Sequence, residues 1–187
     1  MAIVHIPDLN QVITDADKAK KYLASINIGY DRWDTAHVSG DTPAEQVLES
    51  FAKEINQLKA EGGYVTADVV DVFPSTPNID VMLKKFNREH VHTEDEVRFF
   101  IEGRGLFFIR PKVGNVTRIE VEKGDLLRVP AGTTHWFDAC EERRFRAIRL
   151  FQDPSGWTPY YTDTNIDANY MPVCFGLQFL PSSLQQL

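Results

Sequence analysis

The feature that most constrains the fold is a change in hydrophobic period near residue 64. Before that point the apolar residues follow helical spacing, and after it they recur mostly at every second position, between turns that contain Gly, Pro or Asn. Because successive side chains of a β-strand point to opposite sides, this change predicts strands. Short strands at this spacing favour an antiparallel barrel or sandwich over a βαβ fold. The predicted strands lie in YVTADVVDVF, EVRFFIEG, GLFFIRP, VTRIEVEKG, DLLRVPAG, HWFDA and RFRAIRLFQ.

Three helices are predicted, mostly ahead of these strands. In the clearest one, DTPAEQVLESFAKEINQLKAEGG, Thr42 fits the N-cap, Pro43 the first helical position and Glu45 a capping box. Gly62 is expected to end this helix. A weaker helix is expected at residues 15 to 25, and a short one in PNIDVMLKKF.

The chain is long enough for one domain and shows no composition shift that would mark a second. A domain of 187 residues buries about 70% of the surface of its unfolded chain. We expect a single domain over residues 1–187, mainly β, with a few packed α-helices mostly in the N-terminal half. Within it we expect a helical front of about 1–63, a β-barrel body of about 64–161 and a C-terminal segment of 162–187, whose end LPSSLQQL reads as a loosely held tail.

Charge and composition exclude several classes of partner. The net charge of -7 at pH 7 argues against binding to nucleic acid or to an anionic membrane, since both would repel the protein. No apolar run reaches the length of a membrane span, and MAIVHIPDLN does not resemble a secretory signal. Cys140 and Cys174 are therefore expected to be free thiols in a reducing cytoplasm, with a single disulfide left open as the alternative.

The segment REHVHTEDEVRFFIEG contains two of the five histidines of the chain. On a strand, His90 and His92 present both imidazoles to one side, and a turn returns Glu96 to the same place. A third histidine, His135, opens the strand after a tight turn in GDLLRVPAGTTHWFD. If these two segments are neighbours in a barrel, three imidazoles and one carboxylate converge. Such a ligand set suits Fe(II), Ni(II), Mn(II) or, less well, Zn(II), and it leaves two octahedral positions for a bidentate substrate or dioxygen.

An isolated His-x-His pair is more often plain surface polarity than a metal site. Here the surrounding spacing decides against that reading, because it matches the two motifs of the cupin superfamily, whose fold is a double-stranded β-helix or jelly-roll barrel. Ala139 departs from the second motif, which often has Asn there, but this position is not a ligand. His5 and His37 have no such context and read as ordinary polar residues. The matching positions are His90, His92, Glu96 and Gly103 in the first motif and Gly124, Pro130, Gly132 and His135 in the second.

Two arginines are expected near this site. Arg98 lies two residues after Glu96, so it points to the same side of the strand as Glu96 and Phe100. Arg149 shares a face with apolar residues in RFRAIRLFQ, and burying an arginine is costly without an anionic partner. The plain alternatives are a solvated strand face for Arg98 and an internal ion pair with a structural carboxylate for Arg149. Near an open metal site, both arginines favour an anionic substrate, with Phe86, Phe137 and Trp157 as an apolar wall.

From the third helix to Trp157 the chain resembles the acireductone dioxygenase family, single-domain cupins of methionine salvage. The resemblance is carried by FNREHVHTEDEVRFFIEGRGLFFIR, GDLLRVPAGTTHWFD and RAIRLFQDPSGW. It implies one divalent metal per chain, Fe(II) or Ni(II), and a monomer. The roles it implies are metal ligation by His90, His92, Glu96 and His135, generation of the substrate dianion by Arg98, a relay of conformational change by Asp95, help in metal loading by Glu89, and substrate contacts by Phe86, Phe137, Arg149 and Trp157.

The resemblance also implies a reaction, the cleavage of the acireductone 1,2-dihydroxy-3-keto-5-methylthiopentene by dioxygen. Family members with Fe(II) release formate and 4-methylthio-2-oxobutanoate, and those with Ni(II) release formate, carbon monoxide and 3-methylthiopropanoate. Because the ligands are the same in both cases, the sequence does not choose the metal. Glu89 and Asp95 also have a plain alternative, since the loop around them is acidic throughout and would be solvated.

Three rival functions remain open at this stage. Another metal-dependent cupin, such as a sugar-phosphate isomerase, would also place basic residues near three histidines and a glutamate, but it consumes no oxygen. A non-enzymatic cupin would bind a small ligand without turnover, although no helix-turn-helix spacing or basic face accompanies it here. A purely structural barrel would bind no metal at all.

Overall fold

The structure is a computed structural model that describes residues 1–174. Its helices are α1 (Ala16–Ser25), α2 (Ala44–Ser50), α3 (Ala52–Gly62) and α4 (Ile79–Lys84). Its strands are β1 (Ile3–Ile6), β2 (Gln11–Ile13), β3 (Gly29–Arg32), β4 (Thr66–Val72), β5 (His90–Val91), β6 (Glu96–Arg110), β7 (Thr117–Glu122), β8 (Asp125–Val129), β9 (Thr134–Asp138), β10 (Phe145–Phe151) and β11 (Tyr160–Tyr161).

The long strand β6 belongs to two antiparallel sheets at once. Its first half pairs with β8 and β10, and these strands pair in turn with β3 and β4. Its second half pairs with β7 and β9, which lead on to β1, β2, β5 and β11. The result is the expected mainly-β barrel of two facing sheets, and the two expected strands EVRFFIEG and GLFFIRP are one continuous strand.

The chain passes between the sheets at Gly103, near the middle of β6. Its φ of 71° lies in the left-handed region that a residue without Cβ adopts at little cost. A Cβ at this position would lie 2.0 Å from the carbonyl oxygen of Arg144. Glycine is therefore required both by the backbone angle and by the approach of the neighbouring chain.

Three apolar layers hold the fold together. The layer between the sheets contains Phe100, Phe107 and Phe137. On the outer side of the first sheet, Val97, Phe99 and Ile101 pack with residues of α2 and α3, and on the outer side of the second sheet Phe108 and Trp136 pack with the segment that follows β11. Alternation along β6 thus places Phe100 inside and its neighbours outside, as predicted. The described layers continue this division with Ile109, Ile119, Leu127 and Phe145 inside, Val47, Phe51, Ile55 and Ile148 under the helices, and Leu106 and Cys140 under the C-terminal segment.

The predicted long helix is interrupted at Phe51, whose φ of -108° and ψ of 17° separate α2 from α3. The Phe51 ring is buried and lies 4.8 Å from the ring of Phe99, so its packing outweighs the helical period. The predicted capping box is wrong, because Pro43 is the N-cap and the Thr42 hydroxyl instead accepts a hydrogen bond from the Ser39 backbone. At the other end the left-handed residue is Gly63, whose backbone N–H bonds the Lys59 carbonyl.

The front of the chain is less helical than predicted, because β1, β2 and β3 also lie within residues 1–63. The strands β1 and β3 extend the sheets by pairing with β7 and β8. Each of these strands has only four residues. The alternation of apolar and polar residues over such a short segment does not distinguish a strand from a loop. The helices expected at 15 to 25 and in PNIDVMLKKF are confirmed as α1 and α4.

In residues 1–174, no helix has the length and apolar character needed to cross a membrane.

The expectation of two free thiols is wrong, since Cys140 and Cys174 form a disulfide with their Cα atoms 5.8 Å apart. This bond fastens the segment after β11 to the outer side of the second sheet, next to Trp136 and Tyr170. The pairing joins residues 34 positions apart, and spacing without a CxxC motif did not indicate it. The expected tail LPSSLQQL lies outside the described residues.

Candidate metal centre

The bend in β6 and the pairing of β5 with β9 build the centre. His90 lies directly opposite His135 in the β5–β9 ladder. His135 is also opposite Ile109, near the end of β6, while Glu96 begins that same strand. The bend therefore brings the start and the end of β6 to one end of the barrel, and the loop after β5 places His92 beside them.

The four predicted ligands converge, with one donor atom of each within 4.8 Å of the others. Glu96 Oε2 lies 3.1 Å from His92 Nε2 and 3.2 Å from His135 Nε2. The His90 and His135 rings are 4.5 Å apart. All four side chains are buried, and in residues 1–174 they form the one such group of His, Cys, Asp or Glu residues. His5 and His37 lie outside it.

Each imidazole is fixed by a backbone carbonyl behind it. His90 Nδ1 lies 2.6 Å from the Arg88 carbonyl oxygen. Because a carbonyl only accepts, Nδ1 carries the proton and Nε2 keeps a lone pair directed to the centre. The same arrangement recurs at 2.8 Å for His92 with the Thr158 carbonyl and for His135 with the Thr133 carbonyl.

The charges at the centre favour a cation. Burial, together with the neighbouring His135, lowers the pKa of His90 to about 4, which keeps this imidazole neutral. Burial would raise the pKa of Glu96, but the Arg98 guanidinium and the neighbouring His135 and His92 together outweigh burial and hold that pKa well below its usual value. The lone pair of His92 Nε2 and that of the ionised Glu96 Oε2 therefore face each other at hydrogen-bonding distance. His90 Nε2 has no hydrogen-bond partner. A divalent cation removes this repulsion, so the donor set fits a metal ion.

Arg98 points inward beside the ligands, as predicted, and is not on a solvated face. Its Nε lies 2.8 Å from Glu96 Oε1, close enough for an ion pair, although the angle is not that of a hydrogen bond. Its guanidinium carbon lies 4.5 Å from the ring centre of Phe137 and 5.3 Å from that of Trp157. Burial lowers the pKa of Arg98 and the charge of Glu96 opposes this. A permanent positive charge is thus held among aromatic rings next to a metal ligand.

Arg149 forms an ion pair and also lies on the same side of the sheet as Arg98. It forms a two-fold hydrogen bond with Asp68, at 2.8 Å from Nε and 2.6 Å from Nη2, which is the ion pair foreseen as the alternative. It also lies opposite Arg98 across the β6–β10 ladder, and its guanidinium carbon is 5.7 Å from the Trp157 ring centre. Phe86 closes another side, with its ring 5.9 Å from that of His90.

Asp95 and Glu89 are bound to protein groups and do not belong to the ligand set. Asp95 accepts hydrogen bonds from the Tyr64 hydroxyl and from the backbone of Ala131, and its own carbonyl accepts one from the Trp157 indole. It thereby connects the loops that carry Glu96, His135 and Trp157.

The Glu89 carboxylate is buried and accepts hydrogen bonds from Arg110, with Nη2 at 3.0 Å, and from the hydroxyls of Thr162 and Thr164. It therefore joins β6 to the segment after β11, directly beside His90. The solvated acidic loop offered as the plain alternative does not describe either carboxylate.

A cavity of about 150 Å³ opens beside His92, Trp157 and Tyr160. A larger cleft of about 540 Å³ runs along the loop before His135 and past Arg110. None of the four ligands lines this cleft, whereas His92 lines the smaller cavity.

The partners that hold the predicted residues were not predicted from the sequence. Asp68 and Arg149 face each other across β4 and β10, a match that becomes visible only when the two strands are aligned. The other missed groups pair through tertiary contacts for which the sequence carried no local signal. They are Tyr64 at Asp95, and Arg110, Thr162 and Thr164 at Glu89.

A jelly-roll barrel with three histidines and a glutamate at one end defines a metal-binding cupin. Residues 7–159 match the ARD/ARD' family, and the chain belongs to it. It is 44% identical over 149 residues to the acireductone dioxygenase of Parvibaculum lavamentivorans, covering 79% of this chain and 80% of the relative. It is 44% identical over 153 residues to acireductone dioxygenase 2 of Pectobacterium atrosepticum, covering 81% of this chain and 84% of the relative.

A solved structure shares this fold. It is the acireductone dioxygenase from Bacillus anthracis with a cadmium ion in its active centre, matched with a TM-score of 0.82 and 36% identity over 86% of this chain and 98% of that one. The predicted family and the predicted mainly-β cupin fold are confirmed.

Proposed function

We propose that this chain catalyses the cleavage of the acireductone 1,2-dihydroxy-3-keto-5-methylthiopentene by dioxygen, as a step of methionine salvage. The observation that carries the proposal is the convergence of His90, His92, Glu96 and His135 within 4.8 Å, with the buried cation of Arg98 beside them. The names of the relatives support the choice of substrate.

The four ligands would hold one divalent ion, and the ion would act as a Lewis acid that stabilises negative charge on the oxygens of the substrate. The protein supplies neutral imidazoles for it, because burial disfavours the protonated form of His90. It also supplies an ionised carboxylate, because Arg98, with His135 and His92, keeps Glu96 charged despite its burial. Neither group needs to lose a proton when the metal arrives.

Arg98 would hold the enediol as its dianion. A guanidinium fixed next to the metal ligands favours the charged form of a bound acid, since an opposite charge at close range lowers the pKa of that acid. The rings of Phe137 and Trp157 exclude water around Arg98, which strengthens the attraction. Arg149 adds a second cation on the same side, and Phe86 and Phe137 would contact the apolar methylthio end of the substrate.

Asp95 and Glu89 would act through the residues they bind. Asp95 links the loops of the centre and would transmit movement of Trp157 to Glu96. Glu89 holds the segment after β11 beside His90 and would assist metal loading there.

The metal would be Fe(II) or Ni(II). With Fe(II) the products would be formate and 4-methylthio-2-oxobutanoate, and with Ni(II) they would be formate, carbon monoxide and 3-methylthiopropanoate. We further propose that residues 1–187 form one domain that works as a cytoplasmic monomer.

The test is oxygen uptake by protein purified without oxygen and loaded with either metal. We expect consumption of dioxygen together with the acireductone, and carbon monoxide only from the nickel form. The matched pair Arg98→Met and Arg146→Met separates the site from general stability, because Arg146 forms an ion pair with Asp71 outside the metal centre. Turnover without oxygen uptake would contradict the proposal and favour an isomerase.

A further inference from the structure

Three charged residues form a row across three neighbouring strands. Asp68 on β4 is opposite Arg149 on β10, and Arg149 is opposite Arg98 on β6. Directly opposed residues of antiparallel strands extend to the same face of a sheet. The row therefore runs from the rim of the barrel to the arginine beside the metal ligands, and Glu96 lies one step further along that face of β6.

Asp68 anchors the outer end of this row. It holds Arg149 through two parallel hydrogen bonds of 2.8 and 2.6 Å, a geometry that fixes both the place and the plane of a guanidinium. The Asp68 side chain is 48% exposed and that of Arg149 is 29% exposed. The pair is thus at the rim, where Arg149 stacks 5.0 Å from the Phe151 ring and 5.7 Å from that of Trp157.

The pairing balances the charge of the pocket. Arg98 is matched by Glu96 and Arg149 by Asp68. If the three ligand imidazoles are neutral, they and these two ion pairs carry no net charge together. The net charge of this set of groups in the loaded site is then that of the divalent ion. A dianion cancels this charge.

We propose that Asp68 is a positioning residue, which holds Arg149 at the rim and offsets its charge, so that the pocket takes a doubly negative substrate in one orientation. The proposal rests on the proposed function. Without the Asp68 carboxylate, the positive charge of Arg149 has lost its partner, and the two hydrogen bonds that fix its side chain are lost. Arg149 is then free to pair with a bound anion. Anions bind more tightly, but the substrate is no longer held in the reactive orientation.

The test uses Asp68→Asn in the metal-loaded enzyme and two separate readouts. The first is the affinity for oxalate, a small dianion with two adjacent carboxylates, measured by calorimetry. We expect oxalate to bind about three- to tenfold more tightly, because one unbalanced charge at a half-exposed rim acts through strong solvent screening. The second is kcat with the acireductone, which we expect to fall about tenfold or more through lost orientation.

Two further variants control the comparison. Asp68→Glu keeps the charge and is expected to restore both readouts to within about threefold of the unmodified protein. Asp71→Asn removes the other cross-strand Asp–Arg pair of β4 and β10, that with Arg146. Because Asp71 is three residues from Asp68, it points to the opposite face, and we expect neither readout to change.

Only opposite movements of affinity and turnover support the proposal. Weaker oxalate binding together with lower kcat would mean that Asp68 merely stabilises the barrel, and this overturns the proposal, as does an Asp68→Asn enzyme that behaves like the unmodified one. If the unmodified enzyme does not cleave the acireductone at all, the proposed function fails. The oxalate comparison among the same variants then decides by itself whether Asp68 controls anion binding.

Discussion

Replacing Arg98 by Met tests how the charges of the centre depend on one another. Met preserves much of the apolar contact with Phe137 and Trp157 but removes the guanidinium that lies 2.8 Å from Glu96. In the metal-free protein, Glu96 is then a buried carboxylate without a counter-charge. Breaking a buried ion pair in this way costs about 3–5 kcal/mol of unfolding free energy.

Protonation of Glu96 limits this cost. Neutralising a carboxyl whose ordinary pKa is 4.5 costs about 3 kcal/mol at pH 7, so we expect a loss of about that size. In the metal-loaded protein the ion itself balances Glu96. The remaining cost is then the lost contact between the cation and the rings, about 1–2 kcal/mol. The Arg98→Met substitution thus costs more unfolding free energy in the metal-free protein than in the metal-loaded protein. The variant is therefore expected to bind the metal more tightly than the unmodified protein, by about tenfold.

The assay is urea denaturation at pH 7, with a chelator and with saturating divalent metal, supported by a metal-binding titration. Arg146→Met is the control, because its ion pair with Asp71 includes none of the ligands, and its loss is expected to cost the same unfolding free energy with and without metal. An Arg98→Met protein that binds metal more weakly, or that is destabilised more in the loaded form, would refute the reasoning.

Three further predictions follow from the same contacts. His92→Ala removes a ligand and is expected to leave less than about a tenth of the bound metal, measured by elemental analysis; an undiminished metal-to-protein ratio would contradict this. The pKa of His90 is lowered to about 4 from 6.5, so the unfolded chain takes up this proton first. In the metal-free protein, the contribution of neutral His90 to the unfolding free energy is therefore fully present above pH 6.5. About 3 kcal/mol of it is lost as the pH falls from 6.5 to 4. His90→Gln is expected to remove this pH dependence of the unfolding free energy, measured by urea denaturation. Cys174→Ser opens a loop that joins residues 34 positions apart and is expected to lower the unfolding free energy by roughly 3–4 kcal/mol without changing metal content; equal denaturation midpoints of the oxidised protein and the variant would show that the bond adds no stability.

Local pattern, together with its match to the two cupin motifs, was sufficient to predict the metal ligands and most of the barrel. His90 and His92 share a side because strand periodicity is two, and the turn before His135 is marked by its own Pro and Gly residues. The orientation of Arg98 followed from the same period. These features depend on neighbours within a few residues, which is the range over which a sequence can be interpreted directly.

Features that depend on distant partners were not predictable in this way. The break at Phe51 arises from packing against Phe99, 48 positions away in the printed sequence. The disulfide was missed because its two cysteines are 34 positions apart and belong to no motif. The carboxylate that binds Arg149 was expected only in general terms, and identifying Asp68 required the register of β4 with β10.

The central claim is that three imidazoles and one carboxylate hold a single divalent ion at the end of the barrel. X-ray absorption spectroscopy of the protein loaded with one equivalent of Fe(II) or Ni(II) tests it most directly. The account predicts three histidine nitrogens in the coordination shell, with oxygen ligands for the rest, and one imidazole fewer in His135→Ala. A shell with no imidazole scattering, or a spectrum that is the same in the variant, would contradict it.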